Sequence, residues 1–152
     1  MALINTFQSI LRSKTLSQEL SIRFYLGCEV PRQGIDLATV LYIVKGESSF
    51  NPKAIGDNGK SIGIFQIQKI CWLDATNFNK TTGGKYENCF GIEYSKKIVK
   101  AYLNRYCSRA IENNDFETMA RIWNGGPFGH RKESTKKYWD KIKKELDKYN
   151  KI

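Results

Sequence analysis

The sequence predicts a single, mainly helical domain of the α+β class, with a helical lobe and a small irregular or β-hairpin lobe flanking a groove. The 152-residue chain has an ordinary globular balance of 41% hydrophobic and 26% charged residues, which suits one domain with a sizeable core. Apolar residues recur at helical spacing through most of the chain. Residues 51–67 differ, because they are rich in Pro, Gly, Asn and Ser, which favour turns.

Two helices are predicted before the turn-rich segment. The first is amphipathic and is expected from Phe7 to about Tyr25, followed by a turn at residues 30–34. Asp36 can cap the second, which leads to Glu47. The apolar stripe of the second helix consists of Leu37, Val40, Leu41 and Val44.

The remaining elements follow from local signals. Residues 51–67 are expected to form a small hairpin or irregular lobe, and a helix is expected around residues 71–75. A longer helix is predicted over residues 92–111. Asp115 is expected to cap the next helix, which stops at the Asn-Gly-Gly-Pro sequence of residues 124–127. Ser134 and Thr135 are expected to open the last helix, whose inward residues are Trp139, Ile142 and Leu146.

The net charge of +10 indicates polyanionic partners, of which nucleic acid and bacterial cell wall are the two main classes. No stretch approaches the ~18 apolar residues of a membrane span, so membrane insertion is not expected. The N-terminus has no basic segment before a long apolar core. We therefore expect no secretory signal here, so that either a signal has been removed or the protein leaves its cell by another route.

The four cysteines are Cys28, Cys71, Cys89 and Cys107. None form a C-x-x-C pair and the chain has one histidine, so neither a metal site nor a cofactor is expected. The cysteines could form two disulfides in any of three pairings, or remain buried thiols. The sequence leaves both alternatives open.

Glu47 is the first candidate catalytic residue. It lies at the edge of the apolar stripe, where partial burial would raise the pKa of its carboxyl group. A carboxylic acid that stays protonated near neutrality can protonate the leaving oxygen of a glycosidic bond. Asp57 follows ten residues later across a turn-rich connection that could fold it back towards Glu47. An ionised second carboxylate would complete a glycosidase pair.

The groove is predicted to be lined by residues of three segments. Ser48 follows the candidate acid, and Gln66 and Ile67 follow two glycines that permit close approach of a sugar chain. Trp123, Asn124 and Gly125 end a helix with an aromatic ring and an amide beside a flexible backbone, which suits the wall of a saccharide site.

These segments, taken together, resemble the lysozyme superfamily. Residues 47–54 (ESSFNPKA) are similar to the opening motif of soluble lytic transglycosylases, and the Asp-x-Gly-x-x-x-Gly spacing from Asp57 is similar to goose-type lysozymes. Residues 63–74 (GIFQIQKICWLD) most closely resemble invertebrate-type lysozymes. Residues 120–129 (ARIWNGGPFG) and 134–139 (STKKYW) continue that resemblance in the same order. It covers residues 36–146 and leaves residues 1–35 as an N-terminal helical segment.

The resemblance implies a lysozyme-like fold and a muramidase that hydrolyses the β-1,4 bond between N-acetylmuramic acid and N-acetylglucosamine in peptidoglycan. It implies that Glu47 is the general acid and Asp57 the second carboxylate. The saccharide groove would be lined by Ser48, Gln66, Ile67, Trp123, Asn124 and Gly125. The implied partner is bacterial peptidoglycan rather than nucleic acid, and a monomer is expected.

Two alternatives remain beside this prediction. A lytic transglycosylase would use Glu47 alone and would close its product as 1,6-anhydromuramic acid. A catalytically idle module would bind walls or nucleic acid through its positive charge. The small number of cysteines departs from invertebrate-type lysozymes and suits a bacterial or phage enzyme, such as an antimicrobial, bacteriolytic endolysin that acts on the cell wall.

Overall fold

The computed structural model describes residues 51–149, which belong to one compact unit. They form a mainly helical α+β fold with a small sheet, which confirms the predicted class. The two predicted N-terminal helices, Glu47 and Ser48 lie outside the described residues. The division of the chain into residues 1–35 and 36–146 stays a prediction.

The described elements are three short strands and four α-helices, numbered here from residue 51. The strands are β1 (Ile55–Gly56), β2 (Ser61–Ile62) and β3 (Ile67–Gln68), and the helices are α1 (Lys69–Phe78), α2 (Ile92–Glu112), α3 (Phe116–Gly125) and α4 (Lys136–Tyr149). Turns of 3-10 helix connect several of them. No helix within residues 51–149 is both long enough and apolar enough to cross a membrane.

The sheet is the predicted hairpin lobe, extended by a third strand. Strands β1, β2 and β3 pair in chain order and antiparallel, with Ile62 opposite both Ile55 and Ile67. The β1–β2 turn has three successive residues with positive φ: Asp57 at 51°, Asn58 at 54° and Gly59 at 89°. Asp, Asn and Gly are the residues that adopt this conformation most readily, so the sequence Asp-Asn-Gly determines the turn.

Two contacts attach the sheet lobe to the helical body. Gly63 has a φ of 72° and lies so close to the backbone of Cys89 that a Cβ atom would be 2.0 Å from the Cys89 carbonyl oxygen. The Tyr86 hydroxyl donates a 2.7 Å hydrogen bond to the carbonyl oxygen of Ile67 in β3. Both partners on the body side come from the 3-10 segment Tyr86–Phe90, and strand β3 also packs against α1, which follows it directly.

Helix α2 forms the centre of the helical body, since α1 and α3 both pack against it. Its inward face includes Ile98 and Val99, both fully buried. Near its C-terminal end the helix is interrupted at Cys107, whose φ of −150° and ψ of 46° are not helical. The predicted helix over residues 92–111 is confirmed, with this interruption.

The starts of α3 and α4 lie where local sequence signals predicted them. Asp115 caps α3 as expected, because its Oδ1 accepts a 3.0 Å hydrogen bond from the backbone N–H of Thr118. Helix α4 begins at Lys136, directly after the 3-10 turn Glu133–Thr135, so Ser134 and Thr135 lie at its start as expected. The Thr135 side chain is buried.

Cys71, Cys89 and Cys107 are free thiols in the structure, which agrees with the alternative of unpaired thiols. Burial raises the pKa of Cys71 to about 12, with smaller contributions from the negative charge of Asp74 and from Cys89. Burial also raises the pKa of Cys89 to about 12 and that of Cys107 to about 11. All three thiols are therefore protonated at neutral pH.

The raised pKa values of these thiols predict that the protein loses stability at alkaline pH. Unfolded cysteines release their protons from about pH 8.5, whereas the folded protein retains them until pH approaches the raised pKa values. The contribution of these thiols to the free energy of unfolding should be constant below about pH 8.5 and should fall as pH rises towards 12. Urea midpoints at pH 8 and pH 10.5 test this, and Cys89→Ala should show a smaller decrease than the wild type. An equal midpoint at both pH values would contradict the prediction.

Candidate active site

A cleft of about 730 Å³ lies beside the sheet lobe and extends over α1, α2, α3 and α4. Its polar lining residues are Asp57, Gln66, Gln68, Cys71, Asp74 and Asn124, and its aromatic and apolar lining residues are Phe65, Ile67, Ile70, Tyr102, Tyr106, Trp123, Pro127 and Tyr138. A cavity of this size, with aromatic walls and a few polar groups, is typical of a small-ligand or saccharide site.

Asp57 is brought to the cleft by the turn between β1 and β2. Its side chain is exposed, and its Oδ2 atom lies 2.9 Å from the hydroxyl oxygen of Ser61. No Lys, Arg or His within residues 51–149 forms an ion pair with it. Asp57 is thus a carboxylate that is held by a hydrogen bond and remains accessible to a ligand.

Gln66 is fixed on the same side of the cleft. Its φ of 52° is unusual for a residue other than glycine, and such backbone strain is common at functional sites. Its Nε2 atom donates a 2.9 Å hydrogen bond to the carbonyl oxygen of Gly63. A Cβ atom at position 56 would lie 1.9 Å from Gln66 Oε1, so Gly56 leaves the space that this side chain occupies.

The aromatic wall consists mainly of side chains from α2 and α3. The Tyr102 ring meets the Trp123 ring edge to face, with centroids 5.7 Å apart and an interplanar angle of 85°. Its other neighbour is Tyr106, at 4.8 Å. Burial raises the pKa of Tyr102 and of Tyr138 above the usual tyrosine range. The wall is therefore uncharged at any physiological pH.

Asp74 is a second carboxylate in the cleft, but its two oxygens already have partners. Its Oδ1 lies 2.8 Å from Arg105 Nη1, and its Oδ2 accepts a hydrogen bond from the Tyr106 hydroxyl. Burial and this hydrogen bond raise the pKa of Tyr106. The cluster connects α1 to α2, which gives Asp74 a structural use that Asp57 does not have.

The end of α3 is held in place by Arg121. Its Nε donates to Thr135 Oγ1 at 3.0 Å, its Nη1 donates to Glu117 Oε1 at 2.9 Å, and its Nη2 donates to the Lys132 carbonyl oxygen at 3.1 Å. Lys132 Nζ in turn donates to the Gly125 carbonyl oxygen at 2.6 Å. This network orients the last turn of α3, which carries the cleft residues Trp123 and Asn124.

The structure brings together most of the described residues that the sequence proposed for the site. Five of them line the cleft: Asp57, Gln66, Ile67, Trp123 and Asn124. Gly125 does not line it and instead faces Thr135, whose Cγ2 would be 2.5 Å from an added Cβ. Glu47 and Ser48 lie outside the described residues. Their roles, and those of the lining residues, stay predictions.

Other residues that line the cleft or lie behind its wall were not identified from the sequence. Tyr102 and Tyr106 lie in the helix predicted over residues 92–111, but helical spacing does not distinguish a core position from a cleft wall. Ser61 carried no signal, since a serine in a turn-rich segment is common. Asp74 ends the motif of residues 63–74 but was given no role. Within residues 51–149, no three His, Cys, Asp or Glu side chains are arranged to hold a metal ion.

Comparison with known proteins places the chain in a family. The family model described as Destabilase matches residues 40–145. The chain is 37% identical over 86 residues to Lysozyme 1 of Crassostrea virginica and 33% identical over 86 residues to Lysozyme of Ostrea edulis. It is 31% identical over 110 residues to Invertebrate-type lysozyme 6 of Caenorhabditis elegans, covering 66% of this chain and 80% of the relative.

The chain belongs to the Destabilase family, and its relatives include proteins named invertebrate-type lysozymes. The resemblance inferred from the sequence motifs is thereby confirmed. The two oyster matches each cover 56% of this chain, and they cover 45% and 60% of the oyster proteins. The chain therefore matches about half of the length of these relatives.

Proposed function

We propose that this protein is a muramidase that hydrolyses the β-1,4 bond between N-acetylmuramic acid and N-acetylglucosamine in bacterial peptidoglycan. The observation that carries the proposal is the position of Asp57, an accessible carboxylate at an aromatic-walled cleft, in a member of a family whose relatives are named lysozymes. Neither a metal nor a cofactor is needed for this reaction, because two carboxyl groups suffice.

Glu47 is proposed as the general acid that protonates the leaving oxygen. Asp57 is proposed to stabilise or attack the oxocarbenium-like carbon that develops as the bond breaks. Asp57 suits this role better than Asp74, because the Asp74 carboxylate already forms an ion pair with Arg105 and accepts a hydrogen bond from the Tyr106 hydroxyl. The product retains its configuration if the two catalytic carboxyl groups lie about 5 Å apart.

The sugar chain is proposed to bind along the aromatic wall. Trp123 offers a flat apolar surface, since its ring is half-buried and is supported by Tyr102. The amide groups of Gln66 and Asn124 can both donate and accept hydrogen bonds, which matches the N-acetyl groups and hydroxyls of the substrate. Ser48 and Ile67 complete the proposed saccharide-binding set, from which Gly125 is left out because it faces Thr135 and not the cleft.

The site of action is proposed to be the bacterial cell wall, with the protein acting as a monomer. The net charge of +10 favours an anionic polymer such as the wall. The exposed lysines of α4 contribute to this charge at Lys137, Lys141 and Lys144. This combination suits a bacteriolytic, antimicrobial enzyme, including one of the endolysin kind.

Mass spectrometry of digested peptidoglycan tests the proposed reaction. A hydrolase should release fragments with reducing muramic acid ends, because water is the acceptor. Fragments lighter by one water, with anhydro ends only, would contradict hydrolysis and indicate the transglycosylase instead. Salt-dependent binding to walls without any release of fragments would contradict both and indicate a binding module.

A further inference from the structure

Ser61 is a fully buried residue that contacts the proposed catalytic machinery from beneath. Its side chain is 0% exposed, and its hydroxyl oxygen lies 2.9 Å from Asp57 Oδ2 and 2.9 Å from Gln66 Oε1. We propose that Ser61 is a positioning residue, which orients the Asp57 carboxylate towards the cleft. This inference rests on the proposed function of Asp57.

The orientation of the Gln66 amide determines what Ser61 can do. The amide nitrogen faces the carbonyl oxygen of Gly63, which can only accept a hydrogen bond. Exchanging the nitrogen and oxygen of the amide would place two acceptors 2.9 Å apart, which is unfavourable. Gln66 therefore presents its oxygen to Ser61, and the Ser61 hydroxyl is the only donor between two acceptors.

The Ser61 hydroxyl can donate only one hydrogen bond, either to Asp57 or to Gln66. A hydrogen bond to an ionised carboxylate is about twice as strong as one to a neutral amide, so the hydroxyl donates to the Asp57 carboxylate. The bond restrains Oδ2, while Oδ1 has no hydrogen-bond partner within residues 51–149 and can face the substrate. Because Ser61 is buried in β2 while Asp57 lies on the turn before it, the serine transmits the rigidity of the sheet to an exposed side chain.

The surroundings of Ser61 leave it no freedom to turn away. An added Cβ at Gly56 would lie 3.0 Å from Ser61 Oγ, so the opposite strand closes that side. Ser61 pairs with both Gly56 and Gln68 in the sheet, which fixes its backbone. The hydroxyl position is consequently set by the lobe, and the carboxylate adapts to it.

The test compares Ser61→Ala with Thr118→Ala by measuring kcat and KM on soluble peptidoglycan fragments. Thr118 is a matched control, because its hydroxyl also donates a hydrogen bond to an aspartate, 2.6 Å to Asp115 Oδ2, and it does not line the cleft. Ser61→Ala should lower kcat about 10-fold to 100-fold with little change in KM. Thr118→Ala should lower the urea midpoint and leave kcat unchanged.

Asp57→Asn and the double variant separate this inference from the proposed function. If Asp57→Asn retains the wild-type kcat, the proposed role of Asp57 fails and the inference fails with it. If Asp57→Asn is inactive while Ser61→Ala behaves like Thr118→Ala, only the inference is overturned. The double variant should be no slower than Asp57→Asn alone, and a further decrease of the Ser61→Ala size would also overturn the inference.

Ser61→Cys is the second variant, which keeps the test decisive if Ser61→Ala does not fold. A cysteine keeps a side chain of similar shape but offers only a weak S–H donor. It should therefore lower kcat, as Ser61→Ala does. Wild-type kcat in a folded Ser61→Cys protein would overturn the inference.

Discussion

Glu47→Gln is expected to reduce the rate of cell-wall clearing by about 10³-fold, within the range usual for loss of a general acid. Glutamine has nearly the same shape as glutamate, so the fold and the binding of the sugar chain should persist. Its amide cannot supply the proton that the leaving oxygen requires. The measurement is the initial decrease in turbidity of purified bacterial walls, with a parallel measurement of the protein bound to the walls.

Glu93→Gln is a suitable control for the loss of one negative charge. Glu93 is exposed on α2 and forms a surface ion pair with Lys96 at 2.9 Å, which contributes little to stability. This variant should clear walls at the wild-type rate. Equal clearing by Glu47→Gln and the wild type would show that Glu47 is not the acid.

Gly63→Ala is expected to lower the free energy of unfolding by about 2–4 kcal/mol, which combines the cost of positive φ in a residue with a Cβ atom and the cost of overpacking. The φ of 72° disfavours alanine, and the new Cβ would lie 2.0 Å from the Cys89 carbonyl oxygen. Because that oxygen belongs to the backbone, relief requires the sheet lobe to move away from the helical body. Urea unfolding followed by circular dichroism measures the loss.

Gly59→Ala separates the two contributions to this loss. Gly59 has a similar positive φ of 89°, but no atom lies within 4 Å of the position of an added Cβ. Its loss should be only about 1–2 kcal/mol, the conformational part. Equal losses for Gly59→Ala and Gly63→Ala would contradict the proposed close contact with Cys89.

The helical elements could be predicted because each carries a local signal. Asp115 has the side chain that caps a helix, and the apolar spacing of α2 specifies its buried face. The start of α4 was predicted, but the 3-10 form of the turn at Ser134 and Thr135 could not be, because both residues are equally suitable as a helix cap and as a turn. Burial of Thr135 against Arg121 and Gly125 decides between them, and this contact is tertiary.

The candidate site shows the same division between local and tertiary information. Asp57 and Gln66 were identified because their residue types and motif spacing resemble a known family. The role of Ser61 depends on the angle at which a turn returns to its strand, which no spacing specifies. The Asp74–Tyr106 contact joins residues that are 32 positions apart, so only the packing of α1 on α2 brings them together.

The small size of the sheet has a consequence for how the lobe opens. Three strands of two residues each provide too few ladder hydrogen bonds to be stable alone. The folded lobe therefore depends on packing against the helical body. Part of this packing is with the 3-10 segment Tyr86–Phe90, through the Tyr86 hydroxyl and the contact between Gly63 and Cys89. Local opening of that segment would release Asp57 as well. The proposed catalytic geometry would then last only as long as the 3-10 segment Tyr86–Phe90 stays folded, although this segment contributes no residue to the cleft lining.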